Sequence, residues 1–183
     1  CKTYLLNVAH RRREEDYFVA QVMRAAAQWL EENADQQPWL MWVDCFDPHE
    51  PWDPPLRDAN RYYDEYHDPN LIFAPGVDVS AFDEREMRRI KALYAGEVTL
   101  VDRWIGHLLQ RLEDLGLADN TAVIFTTDHG CLLGELGAVH KQAWGLIQPE
   151  TRLPLILKVP GSGLSGMRVR EYVQAFDLMP TML

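Results

Sequence analysis

Along this chain of 183 residues the apolar positions change period several times, and each change predicts an element. From Glu14 to about Asn33, Phe18, Val22, Ala25, Ala26 and Trp29 recur at helical spacing, which predicts an amphipathic helix. Glu14, Glu15 and Asp16 fall in its first turn, where acidic groups favour the helix dipole. Pro38 follows, and the run from Trp39 to Phe46 reads as a buried strand. That strand ends at Asp47-Pro-His-Glu-Pro-Trp-Asp-Pro-Pro55, because proline has no N–H to give a ladder. Residues 47–80 form a long connection rich in Pro and Asp, holding Tyr62, Tyr63, Tyr66, His67 and Phe73. Loops of this length in compact domains are functional or disordered, and the aromatic content favours an ordered one.

A second helical stripe contains Ile90, Leu93, Tyr94, Val98, Val101, Ile105, Leu108 and Leu112. It predicts a helix to about Leu115, capped by Ser80 with Asp83 or by Asp83 with Glu86 and stopped at Gly116. A break near Gly96 would shorten so long a helix. The β-branched run Thr121–Thr127 predicts a second strand, and Leu153–Val159 a third, ending at Pro160-Gly-Ser-Gly163. A last helix starts near Asp177. Residues 1–13 read as irregular, with Arg11-Arg12-Arg13 as a solvated approach to the first helix. This alternation predicts an α/β fold, a mostly parallel sheet flanked by helices.

Charge narrows the function classes. Lys+Arg is 18 against Asp+Glu 28, a formal charge of -10. This argues against nonspecific nucleic-acid or anionic-membrane partners. An anionic small molecule still fits if a metal or a few local cations dominate its site. No apolar run reaches the roughly 18 residues of a membrane span. Cys1, Cys45 and Cys131 have neither metal-ligand spacing nor the pattern of a disulfide framework.

The candidate chemistry gathers at strand ends, where open α/β sheets bind ligands. Asp128-His129 closes the second strand, before Gly130, Gly134 and Gly137. A carboxylate and an imidazole there can share one cation: calcium, magnesium or manganese if oxygen ligands dominate, zinc if imidazoles do. Alternatively, Asp128 caps the following turn and His129 is a partly buried polar residue. His49, flanked by Pro48 and Glu50-Pro51, is a general-acid candidate or an exposed turn histidine. Lys141 follows the glycine-rich loop and can return to hold an anionic oxygen, or stay at the surface as most lysines do. His140 faces the same choice.

Several ordered blocks resemble the sulfatases of the alkaline-phosphatase superfamily. They are Phe46-Asp-Pro-His-Glu-Pro-Trp-Asp-Pro-Pro55; Tyr94-Ala-Gly-Glu-Val-Thr-Leu-Val-Asp102; Val123-Ile-Phe-Thr-Thr-Asp-His-Gly130 with Gly134-Glu-Leu-Gly137 and Lys141; Arg152-Leu-Pro-Leu-Ile-Leu-Lys-Val-Pro-Gly161; and Asp177-Leu-Met-Pro-Thr181. The resemblance implies an alkaline-phosphatase-like fold and hydrolysis of a sulfate monoester to alcohol and sulfate. It implies Asp128 and His129 as ligands of a divalent cation, usually Ca2+, with Mn2+, Mg2+ or Zn2+ as alternatives. It implies His49 and Lys141 as catalytic and substrate-binding groups, with His140 beside them in the substrate site. The family's nucleophile is a formylglycine made in a Cys-x-Pro-Ser-Arg-type motif.

Departures from the family pattern shape the remaining expectations. No cysteine here leads the maturation motif, the family's paired N-terminal aspartates are absent, and Leu136 stands where many members have His. Residues 1–183 therefore resemble an internal part of the catalytic domain, without the N-terminal nucleophile region and the C-terminal subdomain. The isolated chain is expected to be inactive, to bind metal weakly and to self-associate. The full-length protein would act on a small-molecule or sugar sulfate ester. A phosphonate monoester or phosphodiester hydrolase of the same superfamily, and a non-catalytic binding domain on that fold, are the alternatives.

Overall fold

A single helix of 31 residues, Glu84–Asp114, organises the packing. The structure, a computed structural model, describes residues 2–72, 78–141 and 145–182. In chain order the helices are α1 (Lys2–Val8), α2 (Phe18–Asn33), α3 (Leu56–Ala59), α4 (Glu84–Asp114), α5 (Gln148–Thr151) and α6 (Leu178–Met182). The strands are β1 (Val123–Thr126), β2 (Leu132–Leu133), β3 (Val139–His140) and β4 (Leu155–Lys158).

Helix α4 starts with the expected reciprocal cap: Asp83 Oδ1 accepts from the Glu86 N–H, and Glu86 Oε2 accepts from the Asp83 N–H, both at 2.8 Å. It runs unbroken through Gly96 as one continuous helix. That glycine serves a close approach instead, since a Cβ there would lie 2.8 Å from the Ala59 nitrogen and from Pro54 Cγ. Gly116, at φ +69°, follows the helix end in the left-handed conformation that suits glycine. Arg89, buried on the same helix, donates to Asn70 Oδ1, Asn60 Oδ1 and the Tyr63 carbonyl. These bonds tie the 60–70 segment down. The long connection is thus ordered over α4 as far as Ile72, while Phe73 lies outside the described residues.

The first predicted helix is divided. Glu14–Asp16 form a 3₁₀ turn, Tyr17 is extended, and α2 follows. Its buried face is Val19, Ala20, Met23, Ala26, Ala27 and Leu30, whereas Phe18, Ala25 and Trp29 are exposed. The inward stripe is therefore rotated from the predicted one. Val19, Ala20 and Met23 pack on Leu100, Val101 and Trp104 of α4; the small alanines let the helices approach closely. Two expectations for residues 1–13 change. Residues 2–8 are helical, and while Arg12 and Arg13 are exposed as expected, Arg11 is largely buried, stacked over Tyr17 and paired with Asp53 at 3.0 Å.

Residues 39–46 make no ladder among the described residues, so the predicted strand is not a strand here. The segment keeps the period of two. Trp39, Met41, Val43 and Cys45 lie against the helices, while Leu40, Trp42 and Phe46 are exposed.

The sheet also departs from expectation. β1 and β4 pair antiparallel, Val123 opposite Lys158 and Thr126 opposite Leu155. A parallel pair needs a crossover that returns the chain to the same end, usually by a helix. Between these strands lie the β2–β3 hairpin and the four-residue α5, and β4 runs back along β1. Among the described residues no helix is long and apolar enough to cross a membrane.

Candidate active site

Two separately anchored segments meet at one point. The first is the Pro-rich turn after residue 46. At its start, Asp47 Oδ2 accepts from the Val19 N–H at 2.9 Å, capping the N-terminus of α2. At its end, Trp52 is 1% exposed. The Trp52 indole donates to the Pro48 carbonyl at 3.1 Å, and its backbone N–H to the Ile72 carbonyl at 2.5 Å. Trp52 packs with Ile90 and Leu93 of α4 and meets the Tyr94 ring edge-on at 5.5 Å. Between these anchors the turn presents His49, stacked on Phe46 with centroids 4.3 Å apart.

The second segment is the β2–β3 hairpin, in which Leu132 pairs with His140 and Leu133 with Val139. Leu132 and Val139 are fully buried and fix it to the core. Its turn uses positive φ at Gly134, Leu136 and Gly137; Leu136 pays for that conformation with strain a glycine would not feel. His140, also at positive φ, is largely buried with its ring edge-on to Trp52 at 5.1 Å. Burial lowers the His140 pKa, opposed by nearby Glu50. Lys141 follows directly, half-buried.

The two segments converge at Lys141 Nζ, 2.5 Å from His49 Nε2 and 3.2 Å from Glu50 Oε1. His49 Nδ1 is 2.7 Å from the Glu50 carbonyl oxygen and 3.4 Å from Glu50 Oε2. Burial works against the Glu50 carboxylate, but its own backbone N–H and Lys141 hold its pKa below the usual range. No motif marks Glu50 as a functional residue. The available signal was a carboxylate locked beside His49 by Pro51. Cys131 lies close by, half-buried and hydrogen-bonded with Tyr94, and burial pushes its thiol up to about 11.

Asp128 and His129 follow β1 as expected but form a separate, open pair. The Asp128 side chain is 84% exposed and that of His129 40%, with Asp128 Oδ2 3.6 Å from His129 Nε2. Asp128 Oδ1 accepts from the His129 N–H at 2.9 Å, and His129 Nδ1 bonds the Gly130 carbonyl at 2.8 Å. Slight burial opposes the Asp128 charge, but this N–H and the His129 ring lower its pKa. Gly130 sits so close to the 149–150 backbone that a Cβ would be 2.1 Å from the Pro149 oxygen. Its N–H donates to the Glu150 carbonyl. Among the described residues, no hydrogen bond or ion pair joins Asp128 or His129 to His49, Glu50 or Lys141.

As a cation site this pair is partial. It offers one carboxylate and one imidazole, where calcium takes about six to eight oxygen ligands. Among the described residues no group of three or more His, Cys, Asp or Glu is placed to hold a metal. Neither Cys45 nor Cys131 stands in the formylglycine maturation motif.

The Sulfatase family profile matches residues 2–183. The ulvan-active sulfatase of Formosa agariphila is 32% identical over 167 residues, covering 88% of this chain and 31% of that protein. Iduronate 2-sulfatase of Mus musculus is 35% identical over 137 residues, covering 72% and 24%. The phosphonate monoester hydrolase of Agrobacterium radiobacter superposes with a TM-score of 0.68 at 22% identity, over 82% of this chain and 34% of that one. The fold is thus the expected alkaline-phosphatase-like one, and the chain spans about a third or less of the length of these relatives. Sulfatases as a family use a divalent metal and formylglycine. With a profile match over nearly its whole length, this chain belongs to the sulfatase family.

Proposed function

We propose that this chain supplies the His49–Lys141 part of the active site of an enzyme that hydrolyses a sulfate monoester to an alcohol and sulfate. The observation that carries the reading is the convergence of Lys141 Nζ on His49 Nε2 from segments far apart in the chain. Cleaving the ester S–O bond leaves negative charge on the alcohol oxygen. The Lys141 ammonium passes a proton to His49 Nε2, from which it is delivered to the alcohol oxygen and neutralises it, while the positive charge of the pair faces the sulfate oxygens. His140, buried behind Lys141, shapes the substrate site from within its wall.

Asp128 and His129 are assigned to a divalent cation, most simply Ca2+, together with ligands from outside these residues. Such an ion would supply positive charge to the bound ester; these two donors alone do not complete its site. The nucleophile likewise comes from outside this chain, and the isolated chain is inactive. The substrate class is a sugar or other small-molecule sulfate ester, as the name of the ulvan-active relative suggests by analogy. The second reading is phosphonate monoester hydrolysis, since the Agrobacterium radiobacter enzyme shares the fold.

The deciding experiment measures kcat/KM of the complete enzyme for p-nitrophenyl sulfate and for p-nitrophenyl phenylphosphonate. A preference for the sulfate supports this reading. A preference for the phosphonate moves the chain to the second one. Turnover of the aryl sulfate by the isolated chain with added calcium would refute its inactivity.

A further inference from the structure

We infer that Glu50 is the positioning residue of the His49–Lys141 pair, setting the tautomer and aim of the His49 ring while holding the Lys141 ammonium against it. The inference rests on the proposed sulfate-handling role of His49 and Lys141, and adds a residue to which that reading gives no part. Glu50 reaches both partners at once. Its Oε1 is 3.2 Å from Lys141 Nζ, and its Oε2 is 3.4 Å from His49 Nδ1. The Glu50 carbonyl oxygen adds a third contact, 2.7 Å from Nδ1.

The chemistry of these atoms fixes the ring. A carbonyl oxygen only accepts hydrogen bonds, so Nδ1 carries the proton and donates to the Glu50 carbonyl, with the Glu50 carboxylate beside the same edge of the ring. In the neutral imidazole Nε2 then has its lone pair free, and it accepts from the Lys141 ammonium 2.5 Å away. The reactive nitrogen is thereby presented toward the cation that would hold the sulfate. A ring flipped about its Cβ–Cγ bond, or one in the other tautomer, would lose both contacts to Glu50.

Glu50 is built to do this. Its side chain is 13% exposed, so water screens the interaction little. Pro48 and Pro51 flank it, and proline fixes φ at its own position. Trp52, anchored in the core, follows directly. A carboxylate is also a poor choice for binding an anion, because its charge opposes the incoming sulfate. Orientation, and not attraction of substrate, is what it contributes. That distinction separates kcat from KM.

The test compares Glu50→Gln and Glu50→Asp with His49→Ala and Lys141→Ala in the complete enzyme on p-nitrophenyl sulfate, with thermal unfolding as a check of folding. Glu50→Gln removes the charge, and its amide can offer Nδ1 a donor where only acceptors stood. The expected result is a kcat lowered about 10- to 100-fold, the range typical of lost orienting partners, with KM unchanged or lower. Glu50→Asp, keeping the charge, should recover part of the loss. In parallel, imidazole 15N shifts of His49 in this chain should show protonation at Nδ1, kept in the Gln variant by the residue 50 carbonyl, while the nuclear Overhauser contact between His49 and Lys141 weakens there as the carboxylate no longer holds the ammonium.

A Glu50→Gln kcat within about twofold of the unsubstituted enzyme, while His49→Ala and Lys141→Ala lose turnover, overturns the role of Glu50 and leaves the sulfate site standing. Full turnover in His49→Ala and Lys141→Ala overturns the site itself, and the inference with it. If the Gln variant does not fold, the unsubstituted chain still decides: His49 protonated at Nε2 instead of Nδ1 contradicts the inference.

Discussion

Lys141 Nζ and His49 Nε2 lie 2.5 Å apart although 92 positions separate them in the chain. Trp52 connects their two supports, ending the His49 turn and packing edge-on against His140, the residue before Lys141. Replacing this fully buried indole by alanine should cost about 3–5 kcal/mol of stability and uncouple the two segments. Urea unfolding of Trp52→Ala measures the first effect. Loss of the His49–Lys141 proximity in nuclear Overhauser spectra measures the second. A stable variant with the proximity kept would show that the segments have another common support.

Gly130 has a different demand. A methyl group at this position would collide with the Pro149 carbonyl oxygen at 2.1 Å. Gly130→Ala is expected to cost about 1–3 kcal/mol and to displace the Asp128–His129 corner from the 149–150 backbone. Amide shifts of Asp128 and His129 report that displacement. Unchanged shifts and stability would mean the backbone there yields easily.

Glu97 makes stability depend on pH. It is buried on α4, and its Oε1 accepts from the Asp53 N–H at 2.9 Å. Burial, then the nearby carboxylates of Asp47 and Asp53, push its pKa well above 4.5, with Arg11 opposing. In the unfolded chain Glu97 releases its proton near 4.5, while the folded protein keeps it to higher pH. The unfolded state therefore binds fewer protons in that window, and stability from this group is fully present below 4.5 and falls as pH rises toward the folded value. Asp47 and Asp53, also raised by burial, act in the same direction, while Glu50, held low, acts in the opposite one. Glu97→Gln keeps the acceptor and should be more stable than the unsubstituted chain at pH 7, the difference vanishing below 4.5. Denaturation curves across this range check it; a Gln variant less stable at pH 7 would contradict the sign.

How far the sequence alone reveals this arrangement depends on the range of the interactions. Helix α4 is legible because its stripe repeats every turn and the Asp83–Glu86 cap is local. The same holds for the corner at Asp128-His129, where a β-branched run ends abruptly. The stripe of α2 is ambiguous, because Phe18 and Trp29 compete with Val19 and Leu30 at the same helical spacing and only the packing on α4 decides. Strand direction is set by pairing across some thirty residues, so the antiparallel β1–β4 ladder leaves no local trace. Glu50 escapes notice for the same reason: its partner Lys141 is brought by a distant hairpin.

Exposed apolar surface predicts association. Leu40 and Trp42 are each 77% exposed, and Ile156 and Leu157 of β4 are exposed as well. Exposed apolar side chains in such number seek cover. Sedimentation or sizing of the isolated chain should show association that grows with concentration and weakens in Trp42→Ser. A monomer at every concentration would rule this out.

The central claim is that His49 and Lys141 act on the sulfate ester as one unit. A double-mutant cycle on kcat/KM of the complete enzyme, with His49→Ala, Lys141→Ala and the double variant, tests it most directly. Each single substitution should lower kcat/KM by about 100-fold or more, and the double should lose little beyond the worse single, because groups acting as a unit are not additive. Two losses that simply multiply, or single variants with full activity, would contradict the claim.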